Sequence, residues 1–124
     1  MKSRACERVG LASRRIALAT STSTDQLLAE IDKLNADPAV RGILLQHPVP
    51  PQIDERRCFD RIAVDKDVDG VTALGFGRMA MGEPAYGSAT PAGIMRLLTH
   101  YGIKLSGKHA SSSAAVRSLG SPLR

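Results

Sequence analysis

The sequence is poor in aromatic residues. Its 124 residues include two Phe, two Tyr and no Trp, and its 17 basic residues are scattered along the chain. Proteins that bind single-stranded nucleic acids usually stack bases on aromatic rings beside grouped basic side chains. The formal charge of +5 therefore does not predict a nucleic-acid partner.

Cysteine is also scarce. Cys6 and Cys58 lie far apart, no Cys-x-x-Cys pair is present, and His47, His100 and His109 supply no second pair of ligands. This spacing favours neither a disulfide nor a zinc site, and we predict two buried thiols and no metal.

Long apolar runs are absent as well. None approaches the roughly 18 residues that a membrane span requires, and residues 1–5 lack the apolar stretch of a secretory signal. The chain is one domain at most, yet large enough to bury a core. We expect a soluble, cytoplasmic protein without a membrane partner.

What the sequence does contain is an alternation of short apolar segments and amphipathic helices. Residues 15–19 and 40–45 have the composition of strands, the second of them buried. Between them, Ser23 and Gln26 form a capping box for a helix whose apolar face consists of Leu27, Leu28, Ile31 and Leu34. Strand, helix and strand in this order predict an α/β fold with a parallel sheet and right-handed crossovers.

Further helices are predicted on either side of this unit. Residues 2–9 form the end of one helix, which Gly10 stops, and Asp54 caps another that buries Cys58, Phe59 and Ile62. Residues 73–81 predict a loose helix. Thr90 and Pro91 predict an N-cap and first helical position for a helix that ends at Gly102, with a buried stripe of Ile94, Leu97, Leu98 and Tyr101.

Two polar stretches are candidates for a site. Gln46 stands at the carboxyl end of the predicted buried strand, where open α/β sheets bind ligands, and the acidic loop Lys66-Asp67-Val68-Asp69-Gly70 can close over the same crevice. The alternative is a simple turn with solvated carboxylates.

Lys2 is a third candidate. Cys6 and Val9 lie four and seven residues after it on one helical stripe, so the lysine shares an apolar face. Its side chain either extends past the edge of the core into water or reaches into a pocket.

Several motifs in order resemble one enzyme family. They are residues 5–10 (Ala-Cys-Glu-Arg-Val-Gly) after a lysine, residues 42–50 (Gly-Ile-Leu-Leu-Gln-His-Pro-Val-Pro), residues 65–70 (Asp-Lys-Asp-Val-Asp-Gly), Gly77-Arg78 and residues 89–94 (Ala-Thr-Pro-Ala-Gly-Ile). From Lys2 to about Ala110 the chain is similar to the bifunctional methylenetetrahydrofolate dehydrogenase/cyclohydrolase family.

The resemblance implies a function in one-carbon metabolism and purine biosynthesis. Methylenetetrahydrofolate is oxidised with NADP to the methenyl form, which is then hydrolysed to formyltetrahydrofolate. Lys2 matches the catalytic lysine, Gln46 the glutamine beside it and Asp69 the carboxylate that binds the pterin. Leu45 and His47 flank Gln46 on the substrate wall. A homodimer is implied as well.

The implied fold is the parallel three-layer catalytic domain of that family, in an incomplete form. Residues 1–105 would be a partial folate-binding domain with the linker helix, and residues 106–124 the start of a lost NADP-binding Rossmann domain, in a disordered tail. The family's tyrosine four positions before the lysine is missing, which suggests that Met1 is an internal methionine. An inactive or impaired fragment is therefore expected, with a non-catalytic binding module or a degraded remnant as the alternative.

The tail departs from the family pattern. The family continues into an apolar strand and a Gly-Arg-Ser-x-x-x-Gly-x-Pro segment that receives the NADP phosphates, whereas residues 111–124 read Ser-Ser-Ser-Ala-Ala-Val-Arg-Ser-Leu-Gly-Ser-Pro-Leu-Arg. One codon string can spell a family-like segment in one frame and this tail, through Leu123, one base over. We therefore predict a frameshift after Ala110, with a natural polar tail as the alternative, and assign no cofactor-binding residue.

Overall fold

Five helices form within the part of the chain that the structure describes. A computed structural model describes residues 2–109 and 111, so the predicted disordered tail lies outside the described residues except for its first part. The helices are α1 (Lys2–Arg8), α2 (Thr24–Ala36), α3 (Glu55–Arg61), α4 (Ala73–Ala80) and α5 (Ala89–His100).

Helix α1 ends where the sequence predicts. The amide of Leu11 donates to the Cys6 carbonyl at 2.9 Å, and Gly10 adopts a φ of +74°, the left-handed conformation that terminates helices. Cys6 is half-buried and Cys58 fully buried, and both are free thiols. The prediction of a buried thiol is thus confirmed for Cys58 and wrong for Cys6.

Helix α2 begins with the predicted capping box. The Gln26 amide donates to the Ser23 hydroxyl at 3.3 Å, and the Ser23 amide donates to the Gln26 side chain at 2.9 Å. Leu27 and Ile31 are buried on the inner face, with Leu28 and Leu34 packed partly buried beside them. The predicted apolar stripe is therefore confirmed.

Helix α3 packs against α2 and completes the core. Asp54 caps it, because its carboxylate accepts from the Arg57 amide at 3.0 Å. Cys58 and Ile62 are buried as predicted, whereas Phe59 is only half-buried. The buried apolar cluster consists of Leu27, Ile31, Ile43, Ile53, Cys58 and Ile62.

Polar contacts hold the C-terminal ends of α2 and α3 together. Asn35 donates to the Arg61 carbonyl at 2.8 Å and accepts from the Ala63 amide at 3.0 Å. Arg61 also pairs with Asp32 at 2.6 Å, which lowers the pKa of that carboxyl.

The two predicted strands do not form regular strands. Over the described residues, 2–109 and 111, the structure has one isolated parallel bridge, between Ile43 and Asp67. Residues 15–19 are exposed and have no regular secondary structure, because a strand requires a partner and none of the described segments pairs with them. In residues 40–45, Ile43 is buried but Leu44 is exposed, so this stretch was wrongly predicted as a continuously buried strand.

Helix α4 forms as predicted, while two features of α5 differ from prediction. The N-cap of α5 is Ser88 rather than Thr90, because the helix already begins at Ala89. No residue of α5 is buried: of the predicted stripe, Ile94 is 53% exposed, and Tyr101, the C-cap residue, is 71% exposed. An apolar stripe is buried only if another element packs on it, and α5 has no such neighbour in the described part of the chain.

None of the described helices is both long and apolar enough to cross a bilayer.

Candidate functional site

The parallel bridge between Ile43 and Asp67 organises the candidate site. The amide of Ile43 donates to the Lys66 carbonyl at 2.8 Å, and the two segments run in the same direction. Gln46 lies three residues beyond Ile43, and Asp69 lies two residues beyond Asp67. Both candidate residues therefore follow the bridge on segments that leave it in the same direction, and the chain turns at Val68 and Asp69.

The segment after the bridge carries the predicted substrate wall. Leu45 packs against the apolar core, whereas Gln46 and His47 are exposed. The Gln46 side-chain amide donates to the His47 carbonyl at 2.7 Å. The ring nitrogen Nδ1 of His47 contacts a carboxylate oxygen of Glu55, which ties this segment to the first turn of α3.

The two aspartates of the acidic loop differ in burial. Asp67 is 1% exposed, and its oxygens accept from the Val71 amide at 3.1 Å and the Thr72 amide at 2.8 Å. Asp69 is only half-buried. A buried carboxylate needs hydrogen-bond donors, which Asp67 has, so Asp69 is the carboxylate of this pair that remains available to a ligand.

Lys66 faces away from the loop. Its Nζ lies 3.0 Å from the Leu34 carbonyl oxygen, 2.7 Å from that of Asn35 and 2.8 Å from that of Asp37. Leu34 and Asn35 lie in the last turn of α2 and Asp37 is its C-cap residue, and the last carbonyls of a helix lack intrahelical partners. Lys66 therefore fastens the start of the loop to α2.

Lys2 lies in α1, but its side chain is outside the described part of the structure. Its predicted approach to Gln46 and Asp69 therefore stays a prediction, as do the roles of those two residues. Sequence reasoning missed Lys66 and Asp67 as the groups that fix the loop. The bonds from Asp67 to the amides of Val71 and Thr72 span four and five residues, longer than the local aspartate turns that a sequence pattern indicates.

Other titratable groups lie outside the acidic loop and the segment that follows Ile43. Burial, followed by the nearby Asp54 charge, raises the pKa of the Cys58 thiol, which suits a packing group better than a nucleophile. The Ala73 amide donates to Asp60 at 2.7 Å and lowers the pKa of that carboxyl, with a further contribution from Arg56. Within residues 2–109 and 111, no cluster of three or more His, Cys, Asp or Glu residues could hold a metal ion.

Comparison with known proteins identifies the family. The profile of the tetrahydrofolate dehydrogenase/cyclohydrolase catalytic domain matches residues 1–69. The chain is 65% identical over 123 residues to the bifunctional protein FolD of Saccharophagus degradans and 67% identical over the same length to that of Acidobacterium capsulatum. In both cases the match covers 99% of this chain and 44% of the relative. The chain thus spans less than half the length of the curated relatives it matches.

Solved structures of the same enzyme family have a similar fold. The bifunctional FolD methylenetetrahydrofolate dehydrogenase/cyclohydrolase of Campylobacter jejuni superimposes with a TM-score of 0.84 at 38% identity, over 86% of this chain and 38% of that one. The Trypanosoma brucei enzyme, solved with NADP cofactor and inhibitor, gives 0.80 at 26% identity, over 86% and 37%. The predicted fold class, an incomplete α/β catalytic domain of this kind, is confirmed. The chain belongs to the tetrahydrofolate dehydrogenase/cyclohydrolase family.

Proposed function

We propose that this chain supplies part of the folate-binding surface of a methylenetetrahydrofolate dehydrogenase/methenyltetrahydrofolate cyclohydrolase. The observation that carries the proposal is the parallel bridge between Ile43 and Asp67, because Gln46 and Asp69 follow shortly after it on two segments that run in the same direction. Membership of the family supports the same reading.

The proposed roles follow from the chemistry of the side chains. Asp69 accepts hydrogen bonds from the amino group and ring N–H of a pterin, which a carboxylate does more strongly than a neutral group. Lys2 transfers the proton in the hydrolytic step, in which a positioned amine acts as a general acid and base. Gln46 orients the amine without adding charge, and Leu45 and His47 line the substrate wall.

NADP is proposed as the cofactor of the whole enzyme. When bound it supplies the acceptor for the hydride of the methylene group. Residues 111–124 do not contain the Gly-Arg-Ser-x-x-x-Gly-x-Pro pattern, so we assign it no residue of this chain. A homodimer, a cytoplasmic location, a contribution to purine biosynthesis and the domain division at residue 105 belong to the same proposal.

Ligand binding tests the folate surface directly. Titration calorimetry of the 124-residue chain with tetrahydrofolate should show binding that Asp69→Asn weakens by about tenfold or more, the cost of losing a charge-assisted hydrogen bond. Asp65→Asn, at the exposed residue directly before the acidic loop, is the matched control and should bind as the wild type does. Equal affinities for all three proteins would reject the role of Asp69.

The dehydrogenase activity of the 124-residue chain can be tested separately from its binding of folate. We expect the 124-residue chain to show no measurable dehydrogenase turnover, since the phosphate-binding pattern of the cofactor is not in its sequence. NADPH absorbance with methylenetetrahydrofolate and NADP measures this. Turnover at a rate comparable with full-length relatives would contradict the expectation.

The exposed apolar side chains of α4 and α5 favour a second candidate, a non-catalytic or remnant chain. Leu74, Phe76, Ile94, Leu97 and Tyr101 are all exposed, and surfaces of this kind promote association. A cooperative melting curve with a monomeric particle size would support a folded binding module. A broad transition with aggregation would instead indicate a remnant.

A further inference from the structure

The acidic loop is attached to the rest of the molecule through Lys66. An ammonium group has three hydrogen-bond donors, and each carbonyl oxygen near Nζ, from Leu34, Asn35 and Asp37, lies within 3.0 Å. The contacts fix the position of this side chain. The C-terminal end of α2 also carries the negative end of the helix dipole, which favours a cation there.

The backbone of Lys66 makes the second attachment. Its carbonyl accepts from the Ile43 amide at 2.8 Å, on the segment that continues to Gln46. One residue therefore contacts both the end of α2 and the segment that carries the predicted substrate wall. Movement of Lys66 would disturb the loop and that segment together.

Asp67 closes the loop from inside. Its two oxygens accept from the Val71 and Thr72 amides, and its carbonyl accepts from the Gly70 amide at 3.3 Å. Thr72 in turn caps α4 by accepting from the Gly75 amide at 3.0 Å. The backbone on both sides of Asp69 is thereby held between the bridge and the start of α4.

We propose that Lys66 and Asp67 are positioning residues for Asp69, acting as a clasp that fixes the loop before any ligand arrives. The inference rests on the proposed function, in which Asp69 binds the pterin. A carboxylate that is already in place loses less conformational freedom on binding. Lys66 and Asp67 do not touch the ligand in this arrangement.

Hydrogen exchange of the unliganded chain tests the clasp without any folate. Lys66→Met should increase exchange at the Val71 and Thr72 amides by about tenfold relative to the amides of the first half of α2, because the loop then opens locally. Lys66→Arg keeps the charge and should restore most of the protection. Lys33→Met removes a lysine from the exposed face of α2 and is the matched control, with no selective change in the loop.

A double-mutant cycle tests whether the clasp acts through Asp69. Lys66→Met should weaken tetrahydrofolate binding by about tenfold in the wild type and add less than about twofold in the Asp69→Asn background, because coupled residues are not additive. Additive losses would overturn the positioning role. If the wild type does not bind tetrahydrofolate, the proposed function fails while hydrogen exchange still decides the clasp.

Unchanged loop exchange in Lys66→Met would overturn the inference outright. If that variant does not fold, Asp67→Asn takes its place: it keeps the size of the side chain and replaces one acceptor oxygen by an amide. Faster exchange at Val71 or Thr72 than in α2 then supports the clasp, and uniform exchange rejects it.

Discussion

At the residue scale, Gly70 allows the acidic loop to turn. Its φ is +65°, and a Cβ atom added there would lie 2.8 Å from the Tyr86 carbonyl oxygen and 2.8 Å from the Ser88 nitrogen. Both neighbours are backbone atoms, which cannot move aside as a flexible side chain can. The loop and the segment before α5 therefore approach each other at a position that only glycine fits.

We predict that Gly70→Ala destabilises the chain by about 1–3 kcal/mol, through the strained conformation and the backbone clash. Gly77→Ala is the matched comparison: Gly77 lies inside α4 and an added Cβ would meet nothing within 4 Å. This change should stabilise by about 0.5–1 kcal/mol because alanine loses less entropy in a helix. Urea unfolding of both variants measures the two effects, and a destabilising Gly77→Ala would contradict the second.

The sequence left two interpretations for Asp67-Val68-Asp69-Gly70, a ligand-binding loop or a turn with solvated carboxylates. In the structure the two aspartates differ. Asp67 is buried and its carboxylate accepts hydrogen bonds from the Val71 and Thr72 amides, whereas Asp69 is only half-buried. Both carry the same side chain in the same short motif. Which one would be buried depends on the bridge to Ile43, a contact 24 residues away that local spacing does not encode.

At the scale of the elements, helix starts show how much a local signal can predict. Ser23 with Gln26 and Asp54 with Arg57 form caps that the sequence predicts. Thr90 has the same kind of signal, but α5 begins before it, and Ser88 makes no side-chain capping bond. Capping patterns were reliable where the helix packs on the core and failed where it does not.

Substitution of Ser23 tests this difference. We expect Ser23→Ala to lower the free energy of unfolding by about 1 kcal/mol, the usual contribution of an N-cap. Thr90→Ala is the control and should change stability by less than about 0.5 kcal/mol, as for a surface residue without a special contact. Thermal melts followed by circular dichroism at 222 nm compare them. A loss at Thr90 equal to that at Ser23 would show that Thr90 caps α5 after all.

Asp60 links α3 to α4 in a pH-dependent way. The Ala73 amide, and then Arg56, hold the pKa of its carboxyl below the usual value. A carboxyl with a lowered folded pKa stabilises the protein above its unfolded pKa and loses that effect as the pH falls further. We expect the melting temperature of the wild type to exceed that of Asp60→Asn at pH 7, and the difference to shrink below about pH 4. A constant difference from pH 7 to pH 3 would contradict the linkage.

Strands were harder to predict than helices. The apolar stretches at residues 15–19 and 40–45 have strand composition. Within the described residues, however, the only β pairing is the isolated bridge between Ile43 and Asp67. A helix satisfies its backbone groups internally, whereas a strand depends on a neighbour that the local sequence cannot supply. The same dependence explains α5, whose apolar stripe predicted burial that no described neighbour provides.

At the scale of the whole molecule, the family motifs carried more information than any single pattern. They identified the family and the fold class, which the comparisons confirm over most of the chain. The composition alone predicted only a single domain with a core. The meeting of Lys2 with the acidic loop stays a prediction, because it depends on how α1 docks.

The predicted frameshift concerns the end of the chain. We expect the gene, sequenced through codons 105–124, to encode an apolar strand followed by a Gly-Arg-Ser run in the frame one base over. The reason is that one codon string can encode the family's Gly-Arg-Ser-x-x-x-Gly-x-Pro pattern in one frame and the observed tail in the next. An intact frame without such a neighbouring reading would establish the tail as natural.

Every buried side chain of the described structure lies between Leu27 and Gly75. Proteases cut exposed, locally unfolded backbone and spare packed segments. Trypsin should therefore first remove the flanks, at sites such as Arg14, Arg15, Arg96 and Lys104, and leave a resistant fragment that retains α2 and α3. Mass spectrometry of a timed digest would show it, and early cleavage within α2 would mean that this interior is not a unit. Such a fragment would be a minimal piece that holds its shape without α1 and without the end of α5.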